Sequence, residues 1–339
     1  MNMLTSAMVK KTAIEFGADL VGIADIDRFT GVPKENDPHY IAPNAKVVIG
    51  LGFRILRGSL RGIEEGTHFY QYPEMGVVNI DERFAPMVLR RLGCFLEDHG
   101  YEGVVQRTIP DRRPASDPGT NPEHPSVHKL ASATPVEPDK PAPDVLINFQ
   151  HAAYLCGLGE IGDGGFFLTP EFGPLQRFAF ILTDAPLEAD PIYNGPSICD
   201  HCSECISGCP GQAISPTETV ATTLADKTIR HAKLNEWQCA AYYAGAYAAK
   251  NPFLANDVLN KFPDGEKIAR GEKQLSADEV KQLLPILNGA YYGVSIGYNA
   301  CLCGRACYRA CLMHLEQSNT LTKKFHSPFR TKPDWELGG

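Results

Sequence analysis

Between residues 199 and 210 the chain reads Cys199-Asp200-His201-Cys202-Ser203-Glu204-Cys205-Ile206-Ser207-Gly208-Cys209-Pro210, four cysteines spaced C-x2-C-x2-C-x3-C and closed by proline. Spacers this short let three soft thiolates converge on one metal centre while the fourth is carried past it. That is the spacing of an iron–sulfur run in which three thiolates hold one cubane and the fourth ligates another. Pro210 bends the chain away and offers no N–H of its own. The alternative, a zinc site, usually pairs two C-x2-C knuckles a dozen or more residues apart; a disulfide knot is a weaker alternative. A fourth thiolate committed elsewhere demands further cysteines, and Cys239, Cys301, Cys303, Cys307 and Cys311 follow. A crossover is expected, with Cys199, Cys202, Cys205 and Cys311 on one 4Fe-4S cluster. Cys209, Cys239, Cys307 and either Cys303 or Cys301 go to the other. Cys303 is preferred because Cys303, Cys307 and Cys311 recur every fourth residue. Cys94 and Cys156 sit in apolar patterns and read as buried, inert thiols.

The rest of the composition is ordinary. The chain's 339 residues, 43% hydrophobic and 21% charged, suffice for two domains or one large one with ample core. Net charge is 32 − 40 = −8, which argues against a broad nucleic-acid footprint. Eleven cysteines read as metal ligands before disulfides. Residues 1–6 show no basic n-region or apolar core of a leader, and no run reaches the ~18 apolar residues of a membrane span. A cytoplasmic protein without membrane contact is expected.

Elements able to position such centres can be read in order. Thr5-Ser6 caps a helix with Val9, Ala13 and Phe16 on one face, and Gly17 stops it. Leu20 to Ala24 and Val47 to Phe53 read as buried strands. A helix follows from about Asp81 to His99 with Phe84, Val88, Leu92 and Phe95 inward, and Val104-Val105 starts a further strand. The alternation predicts an α/β layer. Thr67 to Asn79 carries Tyr70, Tyr72 and Gly76, which are either surface aromatics or a lip over a flat cofactor. Residues 110–143 hold nine prolines, with Arg112, Arg113, His124 and His128 either solvated or part of a lid. Val145-Leu146-Ile147 reads as a short strand and His151 to Cys156 as a helix turn. Phe166 to Thr169 and Phe178 to Leu182 read as strands joined by a turn over Pro170 to Pro174. Gly157-Leu158-Gly159-Glu160-Ile161-Gly162 is a glycine-rich turn where backbone can approach a ligand closely. Its formal dinucleotide pattern lacks the leading strand and following helix that nicotinamide binding needs. Downstream, Trp237 to Lys250 reads as a buried helix carrying Cys239, residues 251–298 as a helical polar insertion, and the tail from Thr320 as a basic wrap over the surface.

Gly157-Leu158-Gly159-Glu160, Leu168-Thr169-Pro170-Glu171-Phe172-Gly173-Pro174, Arg177, Thr183-Asp184-Ala185-Pro186-Leu187, Asp190 and the run from Cys199 to Ile214 together resemble reductive dehalogenases. They also resemble the related tRNA-modifying epoxyqueuosine reductases. The phrase from Gly17 to Ala24 is similar to the opening of both, and Cys239-Ala240-Ala241-Tyr242 resembles the lone cluster cysteine of epoxyqueuosine reductases. The resemblance is dense over 145–214 and sparse elsewhere. It implies an α/β (α+β) fold: a nitroreductase-like corrinoid and substrate domain over 1–190, a ferredoxin-like domain with two 4Fe-4S clusters over 191–319, and a tail over 320–339. It also implies a cobalamin that receives electrons through the clusters from an external low-potential donor and reduces a small organic substrate. Gly157, Gly159, Tyr70 and His151 are the residues it suggests at the corrinoid. For the proton donor it suggests Asp144, close to the position of an aspartate in epoxyqueuosine reductases, or Tyr154 or Tyr70 for the tyrosine of dehalogenases.

Two departures qualify what is implied. Asp163 stands where the relatives carry a basic residue, so a cation that would stabilise a developing anion has become an anion. The later cysteines lack the C-x2-C-x3-C-P form, with His314 near their end. Three readings follow: a corrinoid-dependent reductase of a small organic substrate; a non-catalytic iron–sulfur electron carrier or corrinoid-binding protein, which Asp163 favours; and an epoxyqueuosine reductase acting on tRNA, against which the acidic balance counts. A homodimer is left open.

Overall fold

The computed structural model describes residues 4–108, 134–254, 258–290 and 301–337. Arg112, Arg113, His124 and His128 lie outside the described residues.

The first helix, α1 (Ser6–Phe16), begins where the Thr5 hydroxyl accepts the Met8 N–H and ends at Gly17, left-handed at φ 116°. Next come β1 (Leu20–Asp25), β2 (Val47–Arg54), the short α2 (Arg61–Glu64), α3 (Ala85–Asp98) and β3 (Gly103–Arg107). After them stand α4 (Phe149–Leu155), the paired β4 (Glu160–Ile161) and β5 (Phe167–Leu168), and β6 (Gln176–Thr183). Four strands form one sheet in the order β1-β2-β6-β3, each neighbour antiparallel. Alternate residues of the two central strands feed two cores. Ile49, Leu51, Ala179 and Ile181 join Val9, Ala13, Val88 and Leu92 of α1 and α3. Val48, Phe178, Phe180 and Leu182 join Ala152, Ala153 and Leu155 of α4. A sheet covered on both faces explains why β2 and β6 read as unbroken hydrophobic runs. The expected mixed layer of helix and sheet is therefore present.

Some local expectations are corrected. The helix expected from Asp81 begins at Ala85 as α3, because residues 72–84 wind in wide π-helical turns. There Asp81, 1% exposed, accepts a hydrogen bond from Arg177 Nε of β6 at 3.0 Å, tying the turns to the sheet. Val145 to Ile147 form no strand. Leu146 instead gives its N–H to the Glu35 carbonyl and its own carbonyl to the Asn36 amide, at 3.1 and 2.8 Å. Cys156 is buried and its thiol is pushed up to about 12 by desolvation, but Cys94 is exposed on α3.

The second half holds α5 (Glu204–Ser207), a hairpin of β7 (Ile214–Leu224) and β8 (Lys227–Leu234), then α6 (Glu236–Tyr243), α7 (Gly265–Ala269), α8 (Ala277–Ala290) and α9 (Ala306–Gln317). The hairpin turns at Ala225-Asp226, both left-handed. The expected long helix stops at Tyr243, short of Gly245 at φ 103°. Trp237, Tyr242, Ile268, Val280 and Leu283 make a third core. The tail crosses back over the first half: Trp335 Nε1 donates to the Ile63 carbonyl at 2.9 Å, and Phe329 is buried.

Candidate metal centre

The first cysteine run is wound tightly. His201 and Ser203 stand at φ 62° and 64°, a conformation uncommon for residues other than glycine. Helix α5 then carries Cys205 toward Cys209. Helix α9 packs against α5, and at Gly208 a Cβ would lie 3.0 Å from the Cβ of Ala310. That approach brings Cys307 and Cys311, one turn apart on α9, onto the run. Helix α6 is tied to the run's exit through the fully buried Gln238. Its amide donates to the Gly211 carbonyl at 2.9 Å and accepts the Leu275 N–H at 2.8 Å. The next residue is Cys239.

The thiols act on one another in two groups that meet at Cys307 and Cys311. Burial pushes Cys205 up to about 11, with Cys199 and Cys202 adding to it. Burial also raises Cys311, and Cys205, Cys199 and Cys202 are its strongest charged neighbours. Cys239 is pushed up to about 12 by burial, with Cys303 and Cys209 adding and Arg305 opposing. Cys307 is raised by burial, opposed by Arg305 and reinforced by Cys303, Cys239 and Cys209. Cys303 is lowered, to about 6, chiefly because Cys301 hydrogen-bonds to it. Cys301 acts on Cys303, Tyr72 and Tyr243. Thiols crowded in this way resist ionisation in one another's presence, and a bound metal core relieves the conflict by displacing their protons. Four sulfurs are the donor set a cubane takes.

Backbone and carboxylate groups support the sulfurs. The Asp163 N–H donates to Cys199 Sγ at 3.4 Å and the Ala213 N–H to Cys209 Sγ at 3.3 Å. Glu160 Oε1 accepts the N–H groups of Ile198 and Cys199 at 2.8 and 2.7 Å, anchoring the run to β4. Removing this carboxylate in Glu160→Ala strands those donors, at a cost of about 1–3 kcal/mol. The variant is expected to surrender iron to a chelator several-fold faster than the unaltered protein; an equal half-time would show the anchor to be idle. Two His–Asp pairs border the first group, His201 Nδ1 with Asp163 Oδ2 at 2.8 Å and His314 Nε2 with Asp200 Oδ2 at 2.6 Å. The anomalous Asp163 therefore faces this thiol group.

A cavity of about 960 Å³ lies elsewhere, between α3, the edge strand β3 and residues 136–146. Asp144, left-handed at φ 64°, lines it with His39, Arg90, Glu97, Val105 and Arg107. Neither Tyr154, His151, Tyr70, Gly157, Gly159 nor any cysteine of the two groups lines it. Tyr154 is 3% exposed beneath the sheet, its hydroxyl buried without a partner. His151 is half-buried on the same helix. Tyr70 is exposed, edge-on to His68 at 4.3 Å. The backbone that the glycine turn approaches is the chain's own. A Cβ on Gly157 would lie 2.2 Å from the Pro191 carbonyl oxygen, and one on Gly159 2.0 Å from that of Leu168. The roles of Glu160 and Arg305 escaped sequence reasoning, although the order Cys303-Gly304-Arg305-Ala306-Cys307 already sets a cation between two candidate ligands.

No protein-family model matches the chain. Over 65 residues it is 40% identical to a tetrachloroethene reductive dehalogenase of Desulfitobacterium hafniense, covering 19% of this chain and 12% of that one. Over 116 residues it is 32% identical to a tetrachloroethene reductive dehalogenase of Sulfurospirillum multivorans, covering 30% and 23%. An epoxyqueuosine reductase of Synechococcus sp. strain CC9605 is 43% identical over 59 residues, covering 17% and 18%. The chain thus matches less than a quarter of the length of these curated relatives. Among solved structures, epoxyqueuosine reductase from Streptococcus thermophilus aligns with a TM-score of 0.43 at 14% identity, covering 88% of this chain and 69% of that one. A reductive dehalogenase described with B12-dependent dehalogenation aligns with a TM-score of 0.47 at 14% identity, covering 86% and 41%. The cysteine-rich region is consistent with iron–sulfur binding, and the relatives it matches locally are named as reductases and reductive dehalogenases. The local sequence matches support the reductive dehalogenase/epoxyqueuosine reductase superfamily. Among the described residues no helix is long and apolar enough to cross a membrane.

Proposed function

We propose that this chain is a reductase of that superfamily in which two 4Fe-4S clusters pass electrons from an external low-potential donor to a cobalamin that reduces a small organic substrate. The observation that carries the reading is the packing of α9 on α5, which brings Cys307 and Cys311 onto the run at 199–209 from a distant part of the sequence. Cys199, Cys202, Cys205 and Cys311 hold one cluster. Cys209, Cys239, Cys303 and Cys307 hold the other; Cys303, not Cys301, acts on Cys209, Cys239 and Cys307. The corrinoid, when bound, supplies the reducing centre. We place such a group in the 960 Å³ cavity, although Gly157, Gly159, Tyr70 and His151 do not line it. Strand β3 is at the sheet edge, where unpaired backbone N–H and C=O groups suit a ligand bearing many amides. Leu89, Val105 and Val145 give the cavity an apolar wall, and Asp144 on its rim is the proton donor. The net charge of −8 favours a small substrate over a polyanion.

Titrating cob(II)alamin into anaerobically reconstituted protein is expected to produce saturable changes in absorption and EPR. Asp144→Asn should keep that binding and lower turnover about a hundredfold or more. No spectral change would leave the second reading, an electron carrier, which is favoured by the absence of any cluster cysteine from the cavity wall among the described residues.

A further inference from the structure

Arg305 stands at the head of α9, left-handed at φ 49°, between Cys303 and Cys307. Its guanidinium carbon is 5.3 Å from the ring centre of Tyr243 and 4.9 Å from that of Tyr308. Its Nε is buried without a hydrogen-bond partner, and among the described residues no carboxylate pairs with it. Other arginines packed into this protein are matched: Arg309 with Glu64 at 2.5 Å, Arg57 with Glu316 at 2.7 Å, Arg177 with Asp81 at 3.0 Å. A desolvated guanidinium without an anion is costly. Its ring neighbours Tyr243 and Tyr308 are neutral phenols, and it stands two residues from Cys303 and two from Cys307 at the start of the helix that carries Cys307. The first thiol group has the opposite setting. The carboxylates of Asp163 and Asp200 lie within 4.8 Å of the thiols of Cys199 and Cys202, respectively, each paired with a histidine, and Cys202 is exposed.

We infer that Arg305 is the counter-ion of the second cluster and sets its potential above that of the first, so that an electron entering at the exposed Cys202 edge moves inward to the Cys209, Cys239, Cys303 and Cys307 site. This rests on the two-cluster reading. The step is a one-electron exchange: the first cluster, reduced by a low-potential one-electron donor, is reoxidised as the second is reduced, with no bond made or broken. A fixed cation stabilises the form that carries the additional negative charge, and fixed carboxylates oppose it. Two centres of one chemical kind are thereby ordered by their surroundings.

The test is an EPR-monitored redox titration of the full-length reconstituted protein, with iron counted in the same samples. Cys202→Ser alters the first cluster's signal and so tells the two apart. In the unaltered chain the second midpoint is expected to lie above the first. Arg305→Gln is expected to lower the second midpoint and leave the first in place, displacing the exchange equilibrium about tenfold or more, ~59 mV for a one-electron couple. Arg305→Lys keeps the charge and should keep the order even if Arg305→Gln fails to retain iron; a lysine variant in which the second midpoint falls below the first overturns the inference. So does an Arg305→Gln protein with about eight irons per chain and both midpoints unmoved, an outcome that leaves the two clusters standing. About four irons in the unaltered chain removes the two-cluster reading and the inference together.

Discussion

Reconstituted Cys311→Ala is expected to retain about half the iron of the unaltered chain, about four atoms instead of about eight, with the signal of the second cluster intact. Cys209→Ala is expected to lose the complementary half. A purely local view of the run at 199–209 predicts the reverse, with Cys209 as the fourth ligand of its own run and Cys311 dispensable. The surroundings of the sulfurs argue otherwise. Cys311 is acted on most by Cys205, Cys199 and Cys202 and least by Cys307, whereas Cys209 is acted on by Cys303. Both effects are large because a cubane with three protein ligands has an open corner and is readily lost. The crossover fails if Cys209→Ala erases the first signal while Cys311→Ala erases none.

Glu64→Gln is expected to destabilise the fold by about 3–5 kcal/mol at neutral pH, since it removes the anion from a buried ionic group. Glu64 and Arg309 are each 3% exposed, and Arg330 from the tail donates to the same carboxylate at 2.9 Å. Asp334 extends the group to Lys250 at 3.2 Å. Burial by itself would raise the Glu64 carboxyl, but the hydrogen bond from Arg330 and the charge of Arg309 outweigh it and hold the carboxyl below its ordinary value of 4.5. A folded value below the unfolded one means that the stabilisation is complete above about pH 4.5. It is lost as pH falls through the lower folded value. Thermal melts from pH 7 downward should therefore show Glu64→Gln less stable at neutrality and with a flatter acid limb. Coincident melting curves would mean that desolvation cancels the attraction.

The sequence was most informative where chemistry acts over short range. The run at 199–209 is legible because its ligand spacing is local. The α1 caps at Thr5 and Gly17 and the buried strands β2 and β6 are legible because capping and hydrophobic runs are local as well. What stayed hidden depends on partners distant in sequence. Nothing periodic announces that Glu160 holds the amides of Ile198 and Cys199, that Glu64 meets Arg330 in the tail, or that Asp81 in the wide turns meets Arg177. Cys94 shows the limit of pattern: it sits in an apolar stretch, yet its position on α3 turns it outward. The glycine turn shows another, since a tight approach to the chain's own carbonyls leaves the same residues in the sequence as an approach to a ligand.

The long separation between ligands has a consequence for biosynthesis. At about 5–20 residues per second, the ribosome delivers Cys205 roughly 5–20 s before Cys311. On the crossover assignment no complete coordination site exists during that interval, whichever end of the run is considered. Metal loading must then await the emergence of α9, and the thiols already made must stay reduced until it appears.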